Sequence, residues 1–145
     1  MLIYDDIFSW EGWGGRLRLA SGECRLCIID LEKGDAKGLA HLRPIIVIVS
    51  DIPKSRMSVR SCTGHIATRV ARKFNIDPHR MLYIEYYPET VYGDHKQHII
   101  PEKYDAVDFT WHEGRAIKPK WRTLKPPVSD MIKTILENAT KPETG

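Results

Sequence analysis

The chain has 145 residues, 42% of them apolar and 28% charged, with a formal net charge of +3 at neutral pH. That length fits one domain able to bury roughly two thirds of the surface its unfolded form exposes, and the longest apolar run, Ile45 to Val49, is far below the roughly 18 residues of a membrane span. The acidic start MLIYDDIF argues against a secretory leader, and 3 cysteines, an odd number, argue against a disulfide framework, so a cytoplasmic protein with reduced thiols is expected.

In chain order, the first punctuation is Trp10 to Gly15 (WEGWGG), where three glycines in four residues predict a turn or irregular segment. Arg16 to Ala20 and Glu23 to Leu31 flank Ser21-Gly22 and read as an N-terminal hairpin. Its expected register sets Leu17 opposite Leu26, Leu19 opposite Cys24 and Arg18 opposite Arg25. Directly opposed like charges destabilise a sheet, so an acidic group is expected over that face.

Pro44 to Ser50 (PIIVIVS) is too continuously apolar for a half-exposed strand and is expected to be central and covered on both faces. After a polar loop, Asp51 to Arg60, a helix is predicted from Ser61 to Phe74, because Cys62, Ile66, Val70 and Phe74, with Ala67 and Ala71 beside them, recur at helical spacing. Asn75 and Pro78 end it. Met81 to Tyr87 is the next strand, which makes a strand, helix, strand crossover with parallel strands and right-handed connection. Within it Tyr83, Glu85 and Tyr87 share one face, and Leu82, Ile84 and Tyr86 the other.

A loop with Pro88, Gly93 and Pro101 leads to Tyr104 to His112, whose alternation of Val107, Phe109 and Trp111 with Asp108, Thr110 and His112 marks a half-buried strand. Lys118 to Pro127 reads as a proline-broken basic segment. Val128 to Ala139 is a last amphipathic helix, followed by a mobile tail, 140–145. The expected whole is a single α+β domain over residues 1–139: a mixed β-sheet with an N-terminal hairpin, one strand-helix-strand crossover and a C-terminal helix.

The charges are sorted into blocks. Residues 51–80 carry 7 basic against 2 acidic side chains, 81–114 carry 2 against 7, and 115–126 carry 5 against none. Such blocks form an anion-binding face if they are exposed, or neutralise one another if they pack together.

Cys24-Arg25-Leu26-Cys27 and Cys62-Thr63-Gly64-His65 have the skeleton of a three-cysteine, one-histidine zinc site. Two thiolates on one zinc lie no more than about 4.6 Å apart, whereas residues three apart in a strand are separated by about 10 Å and face opposite ways. No metal and no other cofactor are therefore expected. As a nucleophile, Cys62 gains from the first turn of a helix, from Arg60 and from His65 as a base one turn on. Its place in the apolar stripe favours a core thiol instead. Six residues also separate Cys62 from Arg69, one too many for a cysteine phosphatase loop.

The helix entrance is the better anion site: Lys54, Arg56 and Arg60 precede it, Ser61 is a suitable N-cap, and Thr63 and Gly64 supply backbone N–H groups at the positive end of the dipole. Lys118, Lys120, Trp121 and Arg122 combine phosphate-neutralising charge with a stacking ring, as single-stranded nucleic-acid binders do. Candidates for acid–base chemistry are Glu85, Asp108, His112 and the loop pair His95 and His98. Asp108 and His112 stand four residues apart on one strand face, too far for a direct hydrogen bond.

These features support the expectation of a small cytoplasmic binding domain for a polyanion, nucleic acid first, using the basic loop and the basic C-terminal segment. The alternatives are a small enzyme acting on a phosphorylated or nucleotide substrate at the helix N-terminus near Cys62 and His65, and an accessory subunit that docks a protein partner. No membrane partner is expected.

Overall fold

The computed structural model describes residues 2–5, 12–19, 22–31, 43–50, 63–93 and 98–140. In chain order the elements are β1 (Leu2–Asp5), β2 (Gly12–Leu19), β3 (Gly22–Asp30), β4 (Ile45–Ser50), α1 (Thr63–Lys73), β5 (Met81–Tyr87), β6 (Thr90–Tyr92), β7 (His98–Ile100), β8 (Lys103–His112), β9 (Arg115–Thr123) and α2 (Val128–Thr140). The protein is an α+β domain on a mixed seven-stranded sheet, ordered β1-β2-β3-β4-β5-β8-β9, with β6 and β7 paired separately as a small second sheet.

β4 and β5 pair in parallel and every other pairing is antiparallel. The parallel pair is the one joined through α1, as a crossover requires. β4 is fourth of the seven strands, and Ile46 to Val49 are all buried. Val47 and Val49 pack with Ile66, Ala67, Val70 and Ala71 of α1. Ile46 and Ile48 point the other way, into a cluster with Leu82, Ile84, Ala106 and Ile132 of α2. One helix thus covers each face, which is why this strand is apolar at every position.

α1 ends in a Schellman motif. The Ile76 N–H donates to the Ala71 carbonyl (2.9 Å), the Asn75 N–H donates to the Arg72 carbonyl (3.4 Å), and Asn75 takes φ +51°. Asparagine tolerates that left-handed conformation better than most residues. At the other end Gly64 is pressed on β9: a Cβ there would stand 2.8 Å from the Ala116 carbonyl oxygen. Thr68 completes this contact, accepting from the Ala116 N–H (3.0 Å) and donating to the Gly64 carbonyl (2.7 Å).

Four expectations are corrected. The hairpin pairs Leu17 with Cys24, Arg18 with Glu23, Arg16 with Arg25 and Leu19 with Gly22, so its register differs by two residues and residues 20 and 21 separate the strands. A slip of two keeps every side chain on its face, so alternation cannot tell the two registers apart. The glycine-rich segment is strand from Gly12 onward, because Gly14 and Gly15 pair with β1 on one side and β3 on the other. Backbone pairing on both sides outweighs their weak strand preference.

The basic segment is strand β9 rather than a broken chain, joined to β8 by the two-residue turn Glu113-Gly114, both at positive φ. Being outermost in the sheet, β9 tolerates Pro119, and it takes up one extra residue in a bulge opposite Phe109 where Lys118 adopts φ +51°. Finally, the loop after β5 contains β6 and β7. They expose Val91, Ile99 and Ile100.

Candidate functional site

Two polar regions stand out, one buried and one exposed. The buried one lies on the α1 face at the C-terminal end of β5. Glu85 is 0% exposed and accepts hydrogen bonds from Tyr83 (2.9 Å), Tyr87 (2.7 Å) and Thr63 Oγ1, whose distances to the two carboxylate oxygens are 3.2 and 3.0 Å. The pairing of β5 with β8 sets Asp105 directly opposite Glu85. Asp105 is also buried, accepts from Thr123 Oγ1 (2.9 Å) and stands 3.5 Å from Lys103 Nζ, which itself lies 5.2 Å from the centre of the Tyr87 ring.

A buried carboxyl group costs about 1–3 kcal/mol when left without hydrogen bonds, and three hydroxyl partners remove that cost at Glu85. Glu85 is therefore satisfied within the protein, and it ties the first residue of α1 to the middle of the sheet. Among the described residues no buried side-chain nitrogen or oxygen lacks a hydrogen-bond partner.

This network shows how Thr63 and Gly64 are used. The Thr63 side chain is fully buried and donates to Glu85, and Gly64 faces the backbone of β9. Lys54, Arg56, Arg60, Ser61 and Cys62 lie outside the described residues. His65 is exposed on α1, and His98 is exposed on β7; His95 lies outside the described residues. His112 and Glu113 are both exposed, 3.9 Å apart.

Cys24 and Cys27 both lie in β3. Burial pushes the Cys27 thiol up to about 12 against the smaller opposing effect of Arg25, so it is protonated and unreactive at neutral pH. Among the described residues, no three His, Cys, Asp or Glu side chains are grouped so as to hold a metal ion.

The exposed region lies on the opposite sheet face, beyond the part that α2 covers. β8 and β9 pair Val107 with Trp121 and Asp108 with Lys120. Val107 belongs to the α1 cluster and Trp121 packs against it, half-buried. Alternation then turns Lys120 and Arg122 to the other side, both exposed.

There Asp108 stands between two arginines, 3.6 Å from Arg43 and 3.4 Å from Arg122. Arg43 is anchored from behind by donating to the Met81 carbonyl (2.7 Å). Lys118 in the bulge and Arg115 at the start of β9 are also exposed. Arg43, Arg115, Lys120 and Arg122 therefore share a sheet face with Asp108, while Lys118 stands in the bulge opposite Phe109. Arg43, remote in sequence from the other three, is the member that sequence patterning missed. Only the pairing of β5 with β4 and β8 brings it beside β9.

Among the described residues no helix is long and apolar enough to cross a membrane. Comparison of the chain with protein-family models, with curated proteins and with solved structures finds no match.

Proposed function

We propose that this protein is a cytoplasmic polyanion-binding domain, with nucleic acid as the polyanion and the outer face of the β8–β9 hairpin as its contact surface. The observation that supports it is the gathering of Arg43, Lys120 and Arg122 around Asp108 on an open sheet face. Exposed ion pairs of this kind are worth about 0–1 kcal/mol. Charge-assisted bonds from guanidinium to phosphate are stronger and often bidentate, so Arg43 and Arg122 can exchange Asp108 for a phosphate at little cost.

In this reading Lys120, Arg122, Lys118 and Arg43 neutralise phosphates, and affinity falls as salt rises because counterions are released. The test is a fluorescence anisotropy titration of a labelled mixed-sequence oligonucleotide at several salt concentrations. Binding that weakens steeply with salt is expected, and Asp108→Asn tightens it. Absence of binding at low salt, or affinity insensitive to salt, overturns the proposal.

A further inference from the structure

Building on the proposed polyanion contact, we infer that this face recognises the phosphate backbone alone and is indifferent to the bases attached to it. Strand alternation separates the two halves of a single-strand binding motif that the sequence places side by side. Trp121 is turned into the α1 side, where it packs against the core cluster. Phe109 and Trp111 lie on that same side, in edge-to-face contact with ring centres 5.9 Å apart, and Phe109 meets Tyr83 at 5.5 Å.

The bases Lys120 and Arg122 are on the reverse of the sheet. Register and alternation give that surface Asp108, Thr110, His112, Arg115 and Ile117 as neighbours. Its only ring among these is the imidazole of His112, beside Glu113 at the hairpin tip.

Binding of single strands through stacking needs aromatic faces next to the cations, each stacked base contributing about 1–3 kcal/mol. Among the described residues, the rings that share the cations' face, Tyr86 and Tyr104, are stacked on each other within the α2-side cluster, so the cations have no open platform beside them. What they offer is two arginines held by a shared carboxylate and the flanking Lys120, a set suited to phosphate oxygens and carrying no base readout.

The experiment is a competition against a labelled oligonucleotide of about 20 nucleotides at low salt. The competitors are the unlabelled strand, an abasic strand of equal length, and inorganic polyphosphate of matched charge. The expected result is displacement by all three within roughly threefold of one another, with a salt slope near −2, as about three phosphate contacts on a single strand give.

The double variant Lys120→Gln with Arg122→Gln, both at exposed positions, is expected to weaken all three by the same factor. If the abasic strand and polyphosphate compete tenfold or more weakly than the base-bearing strand, backbone-only recognition is wrong while polyanion binding stands. If the labelled strand does not bind at all, both are wrong. A double variant that leaves all three affinities unchanged places the contact elsewhere and overturns the assignment to this face.

Discussion

The hydroxyl of Thr63, the first residue of α1, lies 3.0 Å from one carboxylate oxygen of Glu85 and 3.2 Å from the other. A carboxylate supplied by β5 is thus bonded at the N-terminal end of the crossover helix, where negative charge is favoured by the dipole. Thr63→Val keeps the shape and removes one hydrogen-bond partner from a buried carboxyl group, so stability is expected to fall by about 1–3 kcal/mol. Urea denaturation checks this against Thr134→Val, which removes an exposed bond to the Asp130 carbonyl. Equal effects of the two would show that the Glu85 network holds nothing together.

Gly64→Ala sets two magnitudes against each other. Alanine in a helix is favoured over glycine by about 0.8–1.0 kcal/mol, but the new Cβ would meet the Ala116 carbonyl at 2.8 Å. That neighbour is backbone and cannot swing aside, and overpacking costs about 1–3 kcal/mol. The expected net is a loss of up to about 2 kcal/mol, read as a melting temperature lower by up to roughly 4–8 °C. A more stable Gly64→Ala protein would mean that α1 does not press on β9 this closely.

At Lys118 stability and binding should move in opposite directions. A residue with a Cβ in the left-handed region costs about 1–2 kcal/mol, of which glycine removes the steric part while adding about 0.5–1 kcal/mol of chain entropy. With φ at +51°, Lys118→Gly is expected to stabilise the fold by about 0.5 kcal/mol. If Lys118 contacts a phosphate, the same change lowers the salt slope of single-strand binding by about 0.7. Paired denaturation and salt titrations read the two effects separately.

The second helix carries a pH-dependent tether. Glu102 accepts from Lys133 of α2 (2.8 Å) and from Tyr86 of β5 (2.9 Å). Its pKa is lowered, chiefly by the Lys133 hydrogen bond, which outweighs the opposing desolvation, with smaller contributions from the Tyr86 hydrogen bond and the lysine charge. The same bond raises the pKa of Lys133. A lowered carboxylate pKa contributes stability above its unfolded value and loses it as pH falls through the folded one; a raised lysine pKa contributes below its unfolded value and loses it as pH rises through the folded one. Glu102→Gln should therefore shift the urea midpoint at neutral pH, with the difference from the parent shrinking as the solution is acidified below the carboxylate range. A difference independent of pH would show that the charges are not the cause.

The elements most legible in the residues are those whose burial pattern is local. β4 reads as central because Ile45 to Val49 is apolar throughout, and α1 reads as a helix because Ile66, Ala67, Val70 and Ala71 line one stripe. The grouping of Tyr83, Glu85 and Tyr87 on one strand face is equally visible, and it becomes the hydroxyl network of the buried carboxylate. Less legible are β9 and the glycine-rich start of β2. Their proline and glycines speak against a strand in isolation, and pairing with distant strands decides otherwise.

The candidate binding face divides the same way. Lys118, Lys120 and Arg122 are visible as a basic run, but a run does not reveal which side of a sheet its charges will share, nor that Trp121 turns away from them.

Apolar periodicity along the chain determined the identity of the main strands and helices, because it records how much water each local segment must exclude. The company each side chain keeps was decided only by the tertiary structure: Glu85 beside Thr63, Arg43 beside Arg122 across Asp108, Gly64 against Ala116. Those contacts join residues brought together by strand order and register, and hydrogen bonds and charges act over a few ångströms of space whatever the distance along the sequence.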